Sequence, residues 1–361
     1  MLRRSHPLLL RRSLPLLLPP RSLGYMAGLQ SVGPSAPFPD FDVAFSILRE
    51  VAEVDPAVIE DFEADLWADS KQRFVYGTKA ISVIDTEIPS NKPRGGQAIR
   101  SLINNRQPSL IQTSILIPQV NAGGPLNPSA PPPLTGPAGT HLGGLALALP
   151  LWRCLDRGDS GAPKFAGAPA VAICGAGGCS LPSLLASLGA SVSACEPCQD
   201  TIDAANVFFG AGEAPFRLRR CDAETFLADE RDLDVLIIDA ADGHCPPLSM
   251  REPSFWSSLV SPALHPSGVV AVNMIGEPGD QAAFQSTMSE GLPRHNVFSV
   301  KAPAIAEVSD RHRLLFAAPK ETDLDTATSL MFSEEVMGNG VVRDDKAWLE
   351  VFEEGMGMGT S

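Results

Sequence analysis

AVAICGAGGCSLPSLLASLGASVSACE (170–196) is the stretch on which the fold turns. AVAIC (170–174) is a short apolar run rich in strand formers. Gly175, Gly177 and Gly178 follow it at once, and an apolar helical pattern begins at Leu181. SVSAC (191–195) is a second strand, and it ends on Glu196. Strand, glycine turn, helix and strand make one parallel β-α-β unit. Residues without a Cβ let the turn approach a ligand closely, and the helix start offers free N–H groups at its positive dipole end. Ser180 holds the third glycine position of a dinucleotide fingerprint. A carboxylate placed as Glu196 is can accept both ribose hydroxyls of a nucleoside. Glycine turns also occur for geometry alone, and acids at strand ends are often only solvated. Turn and acid therefore count together rather than singly.

The same period continues downstream. Strands are expected at FRLRR (216–220), DVLIID (234–239) and GVVAVNMI (268–275). Helices are expected from the residues after Glu196 to Phe209, over Ala223 to Leu227, around SFWSSLVSPAL (254–264) and around QAAFQSTMSEGL (281–292). Two last strands, NVFSVKAP (296–303) and RLLFAAP (313–319), are joined by a link too short and too irregular for a crossover helix. That predicts an antiparallel final pair.

Upstream, residues 41–67 carry apolar positions at helical spacing, among them Phe45, Leu48, Val51, Phe62 and Leu66. Residues 72–90 and 99–118 are β-branched and broadly alternating, with turn material at NKPRGG (91–96) and NNRQP (104–108). They read as a small antiparallel sheet. NAGGPLNPSAPPPLTGPAG (121–139) is a Pro/Gly-rich linker, and HLGGLALALPLW (141–152) a buried helix. The expected organisation is a leader over 1–39, a helix and small sheet over 40–120, linker and helix over 121–165, a nucleotide-binding unit over 166–320 and a C-terminal tail with a helix over 321–361.

The first 39 residues hold five arginines and no acid, with a near-repeat of RRSHPLLL (3–10) in RRSLPLLL (11–18). Such a start resembles an organellar transit peptide, which points to a mitochondrion or plastid; a plain leader would leave the protein in the cytoplasm. No stretch is long and apolar enough to span a bilayer, so no membrane role is expected. The net charge of −14 argues against a nucleic-acid backbone as partner. It suits a cationic acceptor such as a small amine or a basic protein tail, or else serves only solubility. The seven cysteines are irregularly spaced and read as free thiols; Cys195 and Cys198 form a lone Cys-x-x-Cys with nothing to complete a metal site, so no metal is expected.

Four more positions could carry chemistry. Asp222 and Ala223 follow the third strand, where an acid and the next backbone N–H can bind an adenine edge. Asp239 and Asp242 lie at the carboxyl end of the fourth strand, where open α/β sheets bind ligands. A carboxylate there can hold an amine, orient its lone pair and take its proton. Asp239 could instead cap a following helix. Gln112 and His141 are polar residues on the second hairpin and at the start of the apolar helix, and by themselves say little. Phe255 and Trp256 read as core.

Together these positions resemble the spermidine synthase-like branch of the class I methyltransferases, over roughly residues 70–345. Within that branch the chain is most similar to the C-terminal domain of the dual lysine and N-terminal methyltransferases of translation elongation factor 1-alpha. The motifs are GAGGCSLP (175–182), ACEPCQDTIDAANVFFG (194–210), CDAETFL (221–227), DVLIIDAAD (234–242) and CPPLSMREPSFWSSLVSPALHPSGVVAVN (245–273). The resemblance implies an α/β fold: a seven-stranded class I methyltransferase (Rossmann-like) sheet with a small N-terminal β-rich domain. It implies S-adenosylmethionine bound at Gly175, Gly177, Glu196, Asp222, Ala223 and Asp239, with Asp239 and Asp242 catalytic.

Gln112, His141, Asp239 and Asp242 also match positions of the aminopropyltransferases of this branch, the first two on the substrate side. That subgroup carries an acid where this chain has Gly178, and Tyr-His-Glu where it has Thr140, His141 and Leu142. It lines its polyamine pocket with tyrosines, and this chain has only Tyr25 and Tyr76. The expectation is methyl transfer to an amine, a protein lysine or N-terminal amine. Aminopropyl transfer in polyamine synthesis is the first alternative and an inactive scaffold of the same fold the second. A homodimer paired through the N-terminal sheet is compatible with the pattern.

Overall fold

The computed structural model describes residues 72–87, 97–105, 111–118, 122–126, 145, 148–149, 151–152, 168–187, 189–242, 246–301 and 312–322, all within the unit Pro37–Ser361. The leader, the helical stretch 41–67, His141, Cys245 and the tail beyond 322 lie outside the described residues.

Strands β5 (Ala170–Cys174), β6 (Ser191–Cys195), β7 (Arg217–Arg219), β8 (Leu233–Ile238), β9 (Leu264–Ile275), β10 (His295–Lys301) and β11 (His312–Pro319) form one seven-stranded sheet. Its order is β10-β11-β9-β8-β5-β6-β7. The five strands from β5 to β9 pair in parallel, and β11 runs antiparallel to both β9 and β10. The expected antiparallel closing pair is therefore present. The chain moves from β5 outward to β7, then returns to place β8 on the other side of β5. A crevice opens at such a reversal, outside the carboxyl ends of the strands.

Both faces of this sheet are covered, so its strands are apolar in continuous runs rather than alternating with polar residues. Val171, Ile173, Val235 and Ile237 face a core shared with Leu181, Leu184 and Leu185 of helix α1 (Ser180–Ser187). Ala172, Cys174, Leu236 and Ile238 face the opposite core. That side holds Phe226 and Leu227 of α3 (Ala223–Asp229), Trp256 of α4 (253–263), and Phe284 and Met288 of α5 (Pro278–Gly291). Helix α4 is composite, with an α-turn at Pro253–Phe255, π geometry over Trp256–Val260 and a final α-turn at Ser261–Ala263. Its Trp256 is fully buried, donates Nε1–H to Met250 O at 2.8 Å and meets Phe284 edge-on, as a core residue does.

The small sheet is a four-stranded antiparallel meander of β1 (Gln72–Gly77), β2 (Ile81–Glu87), β3 (Gln97–Asn104) and β4 (Ile111–Pro118). The segment 72–90 thus contains a turn that its strand-rich composition conceals. Thr78 makes it, its hydroxyl accepting the N–H groups of Ala80 and Ile81. Ile81, Val83, Leu102 and Ile117 pack against Ala204, Phe208 and Phe209, at and just after the end of α2 (Gln199–Phe208). A fully buried ion pair fastens the same contact. Arg100 donates Nε–H and Nη2–H to Asp85 at 2.7 and 2.8 Å, and its Nη1–H to Phe208 O at 3.1 Å. Among the described residues no helix is long and apolar enough to cross a membrane.

Candidate functional site

Gly175 leaves the end of β5 with φ +92° and Gly177 follows with φ +50°, both in the left-handed region. Their neighbours show why no side chain fits. A Cβ on Gly175 would overlap the carbonyl of Asp239 at the end of β8. A Cβ on Gly177 would come within 2.8 Å of Thr113 Oγ1, and one on Gly178 within 2.8 Å of Thr113 Cγ2. All three glycines are thus required by the protein's own packing. Cys179 completes the turn at φ 64°. Burial, with Glu196 nearby, pushes its thiol up to about 12, so it is no nucleophile near neutral pH.

Glu196 is the acid of the site. It is only 7% exposed, and both its oxygens are anchored to backbone. Oε2 accepts the Gly177 N–H at 3.2 Å and Oε1 the Cys198 N–H at 3.1 Å. Burial raises its pKa, and these two hydrogen bonds pull in the opposite direction. Each carboxylate oxygen has two acceptor positions. With one taken by backbone, each keeps one for a hydroxyl of a vicinal diol. The same turn holds β5 to β6, since the N–H groups of Gly175 and Ala176 both reach Cys195 O.

Gln112 and Thr113 come to this turn from β4. The Gly178 N–H donates to Thr113 Oγ1 at 2.8 Å. Gln112 Oε1 is buried with no hydrogen-bond partner. Such an atom costs about 1–3 kcal/mol unless something satisfies it. The Cβ of Gln112 lies 4.0 Å from where a Gly177 Cβ would stand, so Gln112 borders the loop. It is a polar group able to receive a donor from a bound molecule.

Across β5 from Glu196, Asp239 follows β8. Its N–H bonds to Cys174 O at 2.8 Å, which places it directly beside the glycine turn. No helix begins at Asp239, so its carboxylate is not a cap. Its Oδ1 instead accepts a 2.7 Å hydrogen bond from Asn273 Nδ2, on the neighbouring strand β9. Asn273 was missed in the sequence because nothing local marks it. The available signal was a lone amide in the apolar run GVVAVNMI, near the carboxyl end of its strand.

Asp222 is exposed and serves as N-cap of α3, with Oδ1 accepting the Thr225 N–H at 2.8 Å. Hydrogen bonds from Thr225 hold its carboxyl below the usual range. Ala223 is buried at the first turn of the same helix. Asp242 is exposed, three positions beyond Asp239. Gly175 with Asp239, and Gly177 with Glu196 and Gln112, are thus brought together at the ends of β5, β6 and β8. Asp222 and Asp242 stand exposed on the loops after β7 and β8, and His141 lies outside the described residues. Among the described residues, no three His, Cys, Asp or Glu side chains form a group able to hold a metal ion.

No protein-family model matches the chain, and no curated protein matches it either. Solved structures do resemble it. A probable spermidine synthase from Corynebacterium glutamicum ATCC 13032 is 15% identical with a TM-score of 0.50, over 78% of this chain and 93% of that one. The spermidine synthase from Thermotoga maritima is 15% identical at TM-score 0.46, over 80% of this chain and 95% of that one. Human methyltransferase-like protein 13 in complex with SAH is 19% identical at TM-score 0.44, over 55% of this chain and 92% of that one. At these identities the likeness concerns architecture. The molecule has a mixed α/β fold like that of the probable spermidine synthase, a seven-stranded Rossmann-like sheet preceded by a small β-sheet.

Proposed function

We propose that the chain is an S-adenosylmethionine-dependent methyltransferase acting on an amine, with a protein lysine or N-terminal amine as acceptor. One observation carries this: two carboxylates flank the glycine turn of β5, Glu196 on the β6 side and Asp239 on the β8 side. The first is buried and built for a diol. The second is held by an amide and suits an amine. The motif resemblance to the elongation factor 1-alpha methyltransferases supports the choice of acceptor. The unpartnered Gln112 Oε1 supports a ligand over the turn.

S-adenosylmethionine would supply a methyl group on a sulfonium, whose sulfur leaves with the bonding electrons. The chain's own work is placement. Glu196 would hold the ribose hydroxyls, and Asp222 with the Ala223 N–H would hold the adenine. Asp239, with Asp242 beyond it, holds the acceptor nitrogen as the free amine and takes up the proton shed after transfer. In-line positioning and exclusion of water supply most of the rate. Asn273 fixes the Asp239 carboxylate, so the amine meets a single orientation.

The test is transfer of a labelled methyl group by the purified protein to whole-cell extract, followed by identification of the labelled band. A labelled protein is expected. Asp239→Asn should lower transfer by at least about a hundredfold, in the range of a lost acid–base group, while binding of S-adenosylmethionine by calorimetry stays within a few-fold. Full activity in that variant would remove Asp239 from the acceptor site. Spermidine formed from putrescine and the decarboxylated nucleoside would overturn methyl transfer in favour of aminopropyl transfer. Absence of binding at millimolar nucleoside would leave a scaffold.

A further inference from the structure

We propose that Thr113 is a positioning residue of this site: its hydroxyl holds the glycine turn in its working shape and ties it to the small sheet. The proposal rests on the reading above that the turn serves a nucleoside. Thr113 is 4% exposed, and its Oγ1 stands in the middle of a short chain of hydrogen bonds. It accepts the Gly178 N–H at 2.8 Å and donates to Gln112 O at 2.8 Å. Its hydroxyl and its methyl group fill the spaces where Gly177 and Gly178 would carry side chains. One residue of the small sheet thus accounts for two of the three glycines in the turn.

The contact closes a ring. Gly177 donates to Glu196, and Glu196 leads directly into α2. The end of α2 is gripped by Arg100 of β3 through Phe208 O, and its first turn by Thr78, whose hydroxyl donates to Asp200 Oδ2 at 2.6 Å. Strand β3 pairs with β4, with Thr113 opposite Leu102. Thr113 then returns to Gly178. Within this ring the Gly178 N–H is already taken, so it is not a donor to a ligand. Its part is to hold Gly177 at Glu196 while the same strand delivers Gln112. The small sheet is therefore one wall of the nucleoside site rather than an appended module.

Thr113→Val keeps the shape but puts a methyl group where the Gly178 N–H needs an acceptor. Thr113→Ser keeps the hydroxyl and loses only the methyl group. Two readouts are taken on the full chain: amide hydrogen exchange over the peptide containing Gly178 without ligand, and calorimetric affinity for S-adenosylmethionine. The wild type should protect the Gly178 amide. Thr113→Val should lose that protection and bind about tenfold more weakly, in the range expected for an unsatisfied buried donor. Thr113→Ser should keep the protection and bind within about threefold of wild type, the range for a small packing loss. An unprotected Gly178 amide in the wild type would overturn the proposal, as would Thr113→Ser failing as badly as Thr113→Val. Exchange in the free protein decides the point even if S-adenosylmethionine does not bind, so failure of the functional reading is seen separately. Should Thr113→Val not fold, the wild type and Thr113→Ser still decide it.

Discussion

As the proposed ribose ligand, Glu196 has to be buried and ionised together, and its surroundings show the compromise. Burial alone favours the protonated acid, and the N–H groups of Gly177 and Cys198 offset part of that cost. Its pKa in the fold stays above the ordinary value. The sign for stability follows. A raised pKa means that the folded chain binds this proton more tightly than the unfolded chain. Glu196 therefore contributes stability below its ordinary pKa and loses that contribution as pH rises through the folded value. Nucleoside binding runs the other way, because a diol needs both oxygens free of protons. Affinity for S-adenosylmethionine should fall on acidification, beginning above the ordinary carboxylate range, while this residue's contribution to stability rises. Calorimetry across that range, on wild type and Glu196→Gln, checks it. The variant should bind weakly and show little of the pH dependence. An unchanged profile would place the titrating group elsewhere.

At the scale of elements, the parallel strands were legible because they are buried on both faces and so are written as plain apolar runs. The exceptions have physical causes. Strand β9 begins at Leu264, before the expected Gly268, because His265–Gly268 bulge out between the pairs Leu233 with Leu264 and Val235 with Val269. Pro266 and Gly268 look like a turn in the sequence and are tolerated in a bulge. The glycine turn stands where the sequence places it, and its contact with Thr113 has no local signal. Thr113 is far away in sequence, and no local period can announce a contact that only the fold makes. The Arg100–Asp85 pair is hidden for the same reason, since charged residues in a strand pattern read as solvent-facing. Both side chains are fully buried. Arg100→Met should cost about 3–5 kcal/mol in urea unfolding, because it leaves the buried Asp85 carboxylate without its countercharge, although the Gly123 N–H still donates to Oδ2. Adding Asp85→Leu should recover a large part of the loss. A cost under about 1 kcal/mol for the single change, the level of an exposed pair, would mean that this contact does not fasten the small sheet.

At the scale of the molecule, the small sheet packs on α2 and through it borders the proposed site. Phe208 and Phe209 pack among small-sheet residues, while Glu196, one turn before α2, is the acid of the proposed nucleoside site. Units joined by this much apolar contact, a buried ion pair and the Thr113–Gly178 bond should not open independently. Amide exchange at rising urea concentration tests this. Peptides from β2 and β3 should lose protection at the same urea concentration as peptides from β5 and β8. Ligand sharpens the test, because binding only the folded state stabilises whatever unfolds with the site, by about 2.7 kcal/mol at a hundredfold excess over Kd. With S-adenosylmethionine present, both sets of peptides should shift together by that amount. A small sheet that melts first, or that does not respond to ligand while β5 and β8 do, would make it a separable module. It would also remove the physical basis for counting Gln112 and Thr113 as part of the site.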